Sequence, residues 1–208
     1  MTETPAETNP LARIIQLLLL LILTTGFEVG GLVIGIELGL QGMLGQGLVV
    51  LYLGLVLERV AVLIVQRPLH EWLDKLREQA IRILASSWWE FAAWALWFVL
   101  IQFLGVDSTG VFLLVLLPGL HFQHAFLIAV DTGKNYTQLV FYPGFILFTA
   151  IEAVGGLLWL LALNSADISN LNAHLILLVA ITIEHIAQGI VLNSLNQQGV
   201  LTQIGKAT

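Results

Sequence analysis

Cysteine is absent from the 208-residue chain. That excludes disulfides, thiolate metal sites, Cys-ligated iron–sulfur clusters and thioether-linked haem. Charge is also scarce. Asp, Glu, Lys and Arg make up 11% of residues, against about 25% in an ordinary soluble domain. Only 8 of these are Lys or Arg against 14 Asp or Glu, with no basic patch, so nucleic acid is excluded as a partner. No phosphate-cradling loop, Gly-x-Ser-x-Gly or His-Glu-x-x-His is present. The three lysines, Lys75, Lys134 and Lys206, fall outside the long apolar runs, which excludes a retinal Schiff base within a span.

What fills the chain instead is apolar. Hydrophobic types make up 58% of residues, and the mean hydropathy is +0.91. This excludes both a soluble globular domain and a disordered chain. A transmembrane helix needs about 20 mostly apolar residues, and six stretches qualify: Leu11–Ile36, Leu44–Val65, Leu84–Leu104, Val111–Val130, Leu139–Leu163 and Leu175–Leu192. The expected fold is an all-α integral membrane protein, six transmembrane helices in one bundle. The expected organisation is a flexible N-terminus over 1–10, a six-helix domain over 11–196 and a C-terminal tail over 197–208. The first run is too long for a signal peptide and lacks a cleavage site.

The connections between spans set the orientation. Arg13, Arg67, Lys75, Arg77, Arg82, Lys134 and Lys206 all fall on one side, and the other three connections carry no Lys or Arg. The positive-inside rule then places both termini in the cytoplasm. A bacterial inner membrane is the expected location, and a thylakoid membrane is the second that fits. Between the second and third spans, Leu69, Trp72, Leu73, Leu76, Ala80 and Ile83 recur at helical spacing among charged residues. This predicts an amphipathic interfacial helix over about 69–84, either a stiff connector or a docking face for a membrane partner subunit.

Every span carries an ionisable residue near its middle: Glu28, Glu58, Glu90, His121, Glu152 and Glu184, with His124, Arg59 and His185 close by. Each charge inside a bilayer costs at least ~2.5–3.5 kcal/mol. Counted along a helix at 1.5 Å per residue, most of them lie ~12–15 Å from the cytoplasmic end, near the midplane. Six such residues at one level predict a shared polar layer inside the bundle. Glu28 counts as somewhat deeper, and Glu90, after Trp88 and Trp89, as the shallowest.

The spacing is regular. Glu28, Glu90 and Glu152 are 62 apart, and Glu58, His121 and Glu184 are 63 apart. Each glutamate of the first series follows a bulky apolar residue and precedes a small one three positions on. Three copies of a two-helix hairpin would give this pattern, and two inverted halves at offsets of 93–94 fit as well. Gly26, Gly30, Gly31 and Gly35 read as a close-packing face. Trp94, Trp97 and Trp159 read as packing or lipid-facing residues, and Glu37, His70 and His174 as water-facing ones near span ends.

Five buried glutamates with one arginine cannot all be ionised and unpaired. They must be protonated, bind a metal, or take up and release protons. Carboxylates with imidazoles suit a divalent metal such as Fe, Mn or Zn. The candidate ligands are Glu28, Glu58, Glu90, His121, His124, Glu152, Glu184 and His185. Three functions accommodate them. The leading one is transport of a divalent metal ion, or proton-coupled transport. The second is a carboxylate/histidine dimetal enzyme acting on a lipid-soluble substrate, although the Glu-x-x-His pair of such sites is absent. The third is an accessory subunit holding haem or a chlorin through a histidine.

Overall fold

The computed structural model describes residues 10–66, 76–105, 109–132 and 136–197. Among them there are helices and no strands. Six are long: α1 (Pro10–Leu40), α2 (Leu44–Gln66), α3 (Leu76–Leu104), α4 (Thr109–Thr132), α6 (Pro143–Leu163) and α7 (Asn170–Gln197). A single short helix, α5 (Tyr136–Val140), lies between α4 and α6. Five of the long helices are apolar over a length that can cross a membrane, and α4 contributes a shorter apolar run, Leu113–Ala129.

The long helices close into a ring. α1 packs on α2, α2 on α3, α3 on α4, α4 on α6, α6 on α7, and α7 returns to α1. Large apolar side chains cover the outside, among them Leu53, Leu96, Phe122, Leu158 and Ile190. Polar side chains line the inside, beneath a core of Trp94, Trp97, Phe98, Leu116, Leu160 and Leu177. An apolar exterior around a polar centre reverses the soluble pattern and matches a lipid surround.

Backbone constraints set the helix ends. Gly42 and Gly105 follow α1 and α3 with φ of 85° and 83°. The left-handed residue just past each C-terminus is one a glycine adopts without strain. The Gly42 turn reverses the chain within three residues, so α2 runs back along α1. There the close-packing expectation holds for half of its residues. A Cβ on Gly31 would lie 2.8 Å from the Gly54 Cα, and one on Gly35 would lie 2.8 Å from the Gly47 carbonyl oxygen, whereas Gly26 and Gly30 have nothing within 4 Å.

Three boundaries differ from the sequence expectation. The fifth span does not begin at Leu139, because Leu139 and Val140 belong to α5 and the membrane helix starts at Pro143. Proline at the first helical position has no amide hydrogen to donate, and Tyr142 before it is held extended (φ −79°, ψ 121°). The third helix starts at Leu76, so 76–84 is continuous with the span, and the sixth lengthens to Asn170–Gln197. The remaining part of the amphipathic segment, 69–75, lies outside the described residues. So do residues 1–9, the tail after 197, His70, Arg67, Lys75 and Lys134.

Candidate functional site

One small polar cavity, of about 10 Å³, sits inside the ring. That is room for about one water-sized particle. Glu28 of α1, Glu58 of α2, Glu90 of α3, Glu152 of α6 and Glu184 of α7 all line it. Each is 2–3% exposed, so none reaches the outer surface. This includes Glu90, which counts as the shallowest of the set in the sequence. His124, His185, Arg59 and Gln188 complete the lining.

The side chains fall into three groups. In the first, Glu28, Glu58 and His185 each offer a ligand atom, all within 4.8 Å of one another. His185 Nε2 lies 3.2 Å from Glu28 Oε2. The second group is His124, Glu152 and Glu184, on the same criterion. His124 Nε2 lies 3.6 Å from Glu152 Oε2 and 3.7 Å from Glu184 Oε1. A central group, Glu28, Glu90 and Glu152, joins them through the first-series glutamates.

Further residues hold these groups in place. The Thr25 hydroxyl lies 2.9 Å from His185 Nδ1, and the Thr149 hydroxyl 3.2 Å from His124 Nδ1. Each imidazole therefore meets a threonine with one nitrogen and turns the other toward carboxylates, as metal-binding histidines do. Trp94 Nε1 donates to Glu152 Oε1 at 3.2 Å. Arg59 Nη2 donates to Glu90 Oε2 at 2.5 Å, and Gln123 Nε2 donates to the same oxygen at 3.0 Å. Arg59 Nε lies 3.5 Å from Glu58 Oε2 without forming a hydrogen bond.

Three buried carboxylate oxygens have no hydrogen-bond donor among the described residues: Glu58 Oε2, Glu152 Oε2 and Glu184 Oε1. An unmet buried acceptor costs about 1–3 kcal/mol, and more when charged. These oxygens belong to the groups just described, a donor set that could hold a metal ion.

Seven of the eight candidates read from the sequence converge here. His121 does not line the cavity. Its Nε2 donates to the Val140 carbonyl at 2.7 Å and ties α4 to α5. Equal spacing selected His121, but side-chain position is set by local packing. Gly119 packs on Ala93 and places Gln123 and His124 at the level of the cavity. Trp94 and Trp159 are not idle packing residues. Trp94 holds Glu152, and Trp159 Nε1 donates to His174 Nδ1 at 3.2 Å. His174 in turn meets Glu37 Oε1 at 3.0 Å, so these two half-buried residues bridge α7 and α1.

Arg59, Gln123, Thr25 and Thr149 are the contributors that spacing alone did not single out. A signal for them exists. A hydroxyl residue stands three positions before each first-series glutamate: Thr25 before Glu28, Ser87 before Glu90 and Thr149 before Glu152. The second helix of each hairpin carries an acid or amide followed by a basic residue: Glu58-Arg59, Gln123-His124 and Glu184-His185.

No protein-family model, curated protein or solved structure matches the chain.

Proposed function

We propose that this is a six-span membrane protein that binds divalent cations in its core and moves them across the bilayer. One observation carries the reading: a cavity midway along an apolar helical ring, lined by five carboxylates and two imidazoles, with three carboxylate oxygens lacking any donor among the described residues. Glu28, Glu58, Glu152, Glu184, His124 and His185 are the ligands, and Glu90 is the link between them. Glutamate and imidazole together suit Fe²⁺, Mn²⁺ or Zn²⁺. Transporters place their ion sites at this depth, between helices that can part on either side. Ligand deprotonation makes cation uptake release protons, which provides a proton counter-flow.

The basic flanks support a bacterial inner membrane with both termini cytoplasmic. The [Ser/Thr]-x-x-Glu and [Glu/Gln]-[Arg/His] pairs support three hairpins derived from one ancestral unit, with α1–α2, α3–α4 and α6–α7 as the copies. Residues 69–84 remain the surface proposed for a membrane partner subunit.

A second reading, a metalloenzyme for a lipid-soluble substrate, draws on a broad apolar groove between α6 and α7. Its lining includes Ile151 and Ile183, the chain neighbours of Glu152 and Glu184. A cavity this small does not favour the third reading, a haem or chlorin subunit.

The test is uptake into proteoliposomes. Wild-type protein should accumulate Mn²⁺ or Zn²⁺ down an imposed gradient, and Glu152→Gln and Glu184→Gln should not. Undiminished uptake by both variants would overturn the proposal. Metal retained through dialysis without any flux would shift the function to the enzyme.

A further inference from the structure

The polar residues around the cavity occur in three sets, and one set differs. In each hairpin, a small residue three positions after the first-helix glutamate meets a small residue four positions before the second-helix polar pair. Gly31 meets Gly54, Ala93 meets Gly119, and Gly155 meets Ala180. These contacts bring Glu58-Arg59, Gln123-His124 and Glu184-His185 to equivalent places.

The equivalence extends to the groups themselves. Each takes the first-helix glutamate and second-helix acid or amide of one hairpin, with the basic residue of a neighbouring hairpin. This rule produces Glu28, Glu58 and His185, and then Glu152, Glu184 and His124, which are the two ligand groups. Applied once more, it produces Glu90, Gln123 and Arg59. That set is closed by its own hydrogen bonds, both running to Glu90 Oε2. A guanidinium has no lone pair to offer a metal and is always charged. The hydroxyl residues divide in the same way. Thr25 and Thr149 reach the imidazoles of their groups, whereas Ser87 donates to the Leu55 carbonyl, one turn before Arg59.

The geometry points to a pseudo-threefold centre that holds two divalent cations, each among the three ligand atoms of its own group rather than side by side in the one-particle cavity, with Arg59 as a built-in cation in the third equivalent position. This rests on the cation-binding reading above and adds the number and placement of the ions. Charge balance agrees. Five carboxylates and one guanidinium leave four negative charges, which two divalent ions cancel. Glu28 and Glu152 each belong to an ion group and to the central carboxylate group, so the two positions are neighbours.

The test is stoichiometry. The full chain in detergent, stripped with chelator, is dialysed to equilibrium against saturating Mn²⁺, and manganese per chain is counted by elemental mass spectrometry. Two ions per chain are expected, with a spin-coupled electron paramagnetic resonance signal. His124→Ala and His185→Ala should each retain one. Arg59→His combined with Gln123→Glu should raise the count to three. One ion in the wild type overturns the two-ion centre and leaves cation binding standing; none overturns both. A double variant that elutes and shows helicity like wild type, yet binds only two ions, overturns the role given to Arg59. Should that variant not fold, the wild-type count and the two histidine variants decide the two-ion centre.

Discussion

Arg59 on α2 and Glu90 on α3 meet inside the ring at 2.5 Å, and among the described residues Arg59 is the only cationic side chain other than histidine that lines the cavity. Removing one partner of a buried ion pair leaves the other unpaired in a poorly solvated place, at a cost of about 3–5 kcal/mol. Arg59→Ala should therefore lower stability by that order. Arg59→Lys should recover part of it, since the charge returns without the planar fork. Unfolding in mixed dodecylmaltoside and SDS, followed by circular dichroism, measures both. An Arg59→Ala protein as stable as wild type would remove the pair from any structural role.

The threonine contacts make a separate prediction. Thr25→Val and Thr149→Val keep shape and remove the hydroxyls that meet His185 and His124. Loss of such outer partners typically costs 10–100-fold in metal affinity. Each variant should weaken Mn²⁺ binding by about that factor, and Thr→Ser at the same positions should restore it. Isothermal titration calorimetry reports the affinities, and equal affinity in all four variants would contradict the assigned role.

His121 and His124 sit three residues apart on α4 and are expected to behave differently. His121→Ala removes the bond to Val140 and should cost roughly 1 kcal/mol of stability. Its metal content should stay at the wild-type level. Loss of metal on this substitution, in a protein that still elutes as wild type, would show that the centre extends to His121.

The α1–α2 seam predicts a contrast between a glycine inside it and one outside it. Gly54→Ala places a methyl group 2.5 Å from the Gly31 Cα, a backbone atom that cannot swing aside. Overpacking of this kind costs about 1–3 kcal/mol. Gly30→Ala meets nothing within 4 Å, and should be neutral or more stable by up to about 1 kcal/mol because alanine favours the helix. The same detergent unfolding assay separates them, and equal effects would show that the seam is looser than its contacts imply.

Much of the architecture was legible in the sequence for a simple reason. Apolar length and the cost of burying charge are properties of composition, so the helices, and the need for Glu28, Glu58, Glu90, Glu152 and Glu184 to share an interior, follow without coordinates. Helix ends were less legible. Leu139–Tyr142 is as apolar as the span beyond it, and only the restriction imposed by Pro143 separates the two. The site itself was legible by residue type and not by register. Counting 63 residues selects His121, yet packing of Gly119 on Ala93 sets which face of α4 turns inward, and that face presents Gln123 and His124. In the sequence Arg59 stands out only as the neighbour of Glu58. Its bond to Glu90 crosses 31 residues of chain and depends on how α2 packs against α3.

The two ligand groups have one element in common. His185 completes the first and Glu184 the second, and both belong to α7. It is the last long helix among the described residues, and it closes the ring against α1. A nascent chain with five long helices inserted therefore possesses neither complete set of ligands. On the cation-binding reading, neither of these two groups can take an ion until α7 has docked, which makes that helix the keystone of both. On the same reading, filling of those two groups would report that α7 has docked against α1 and α6.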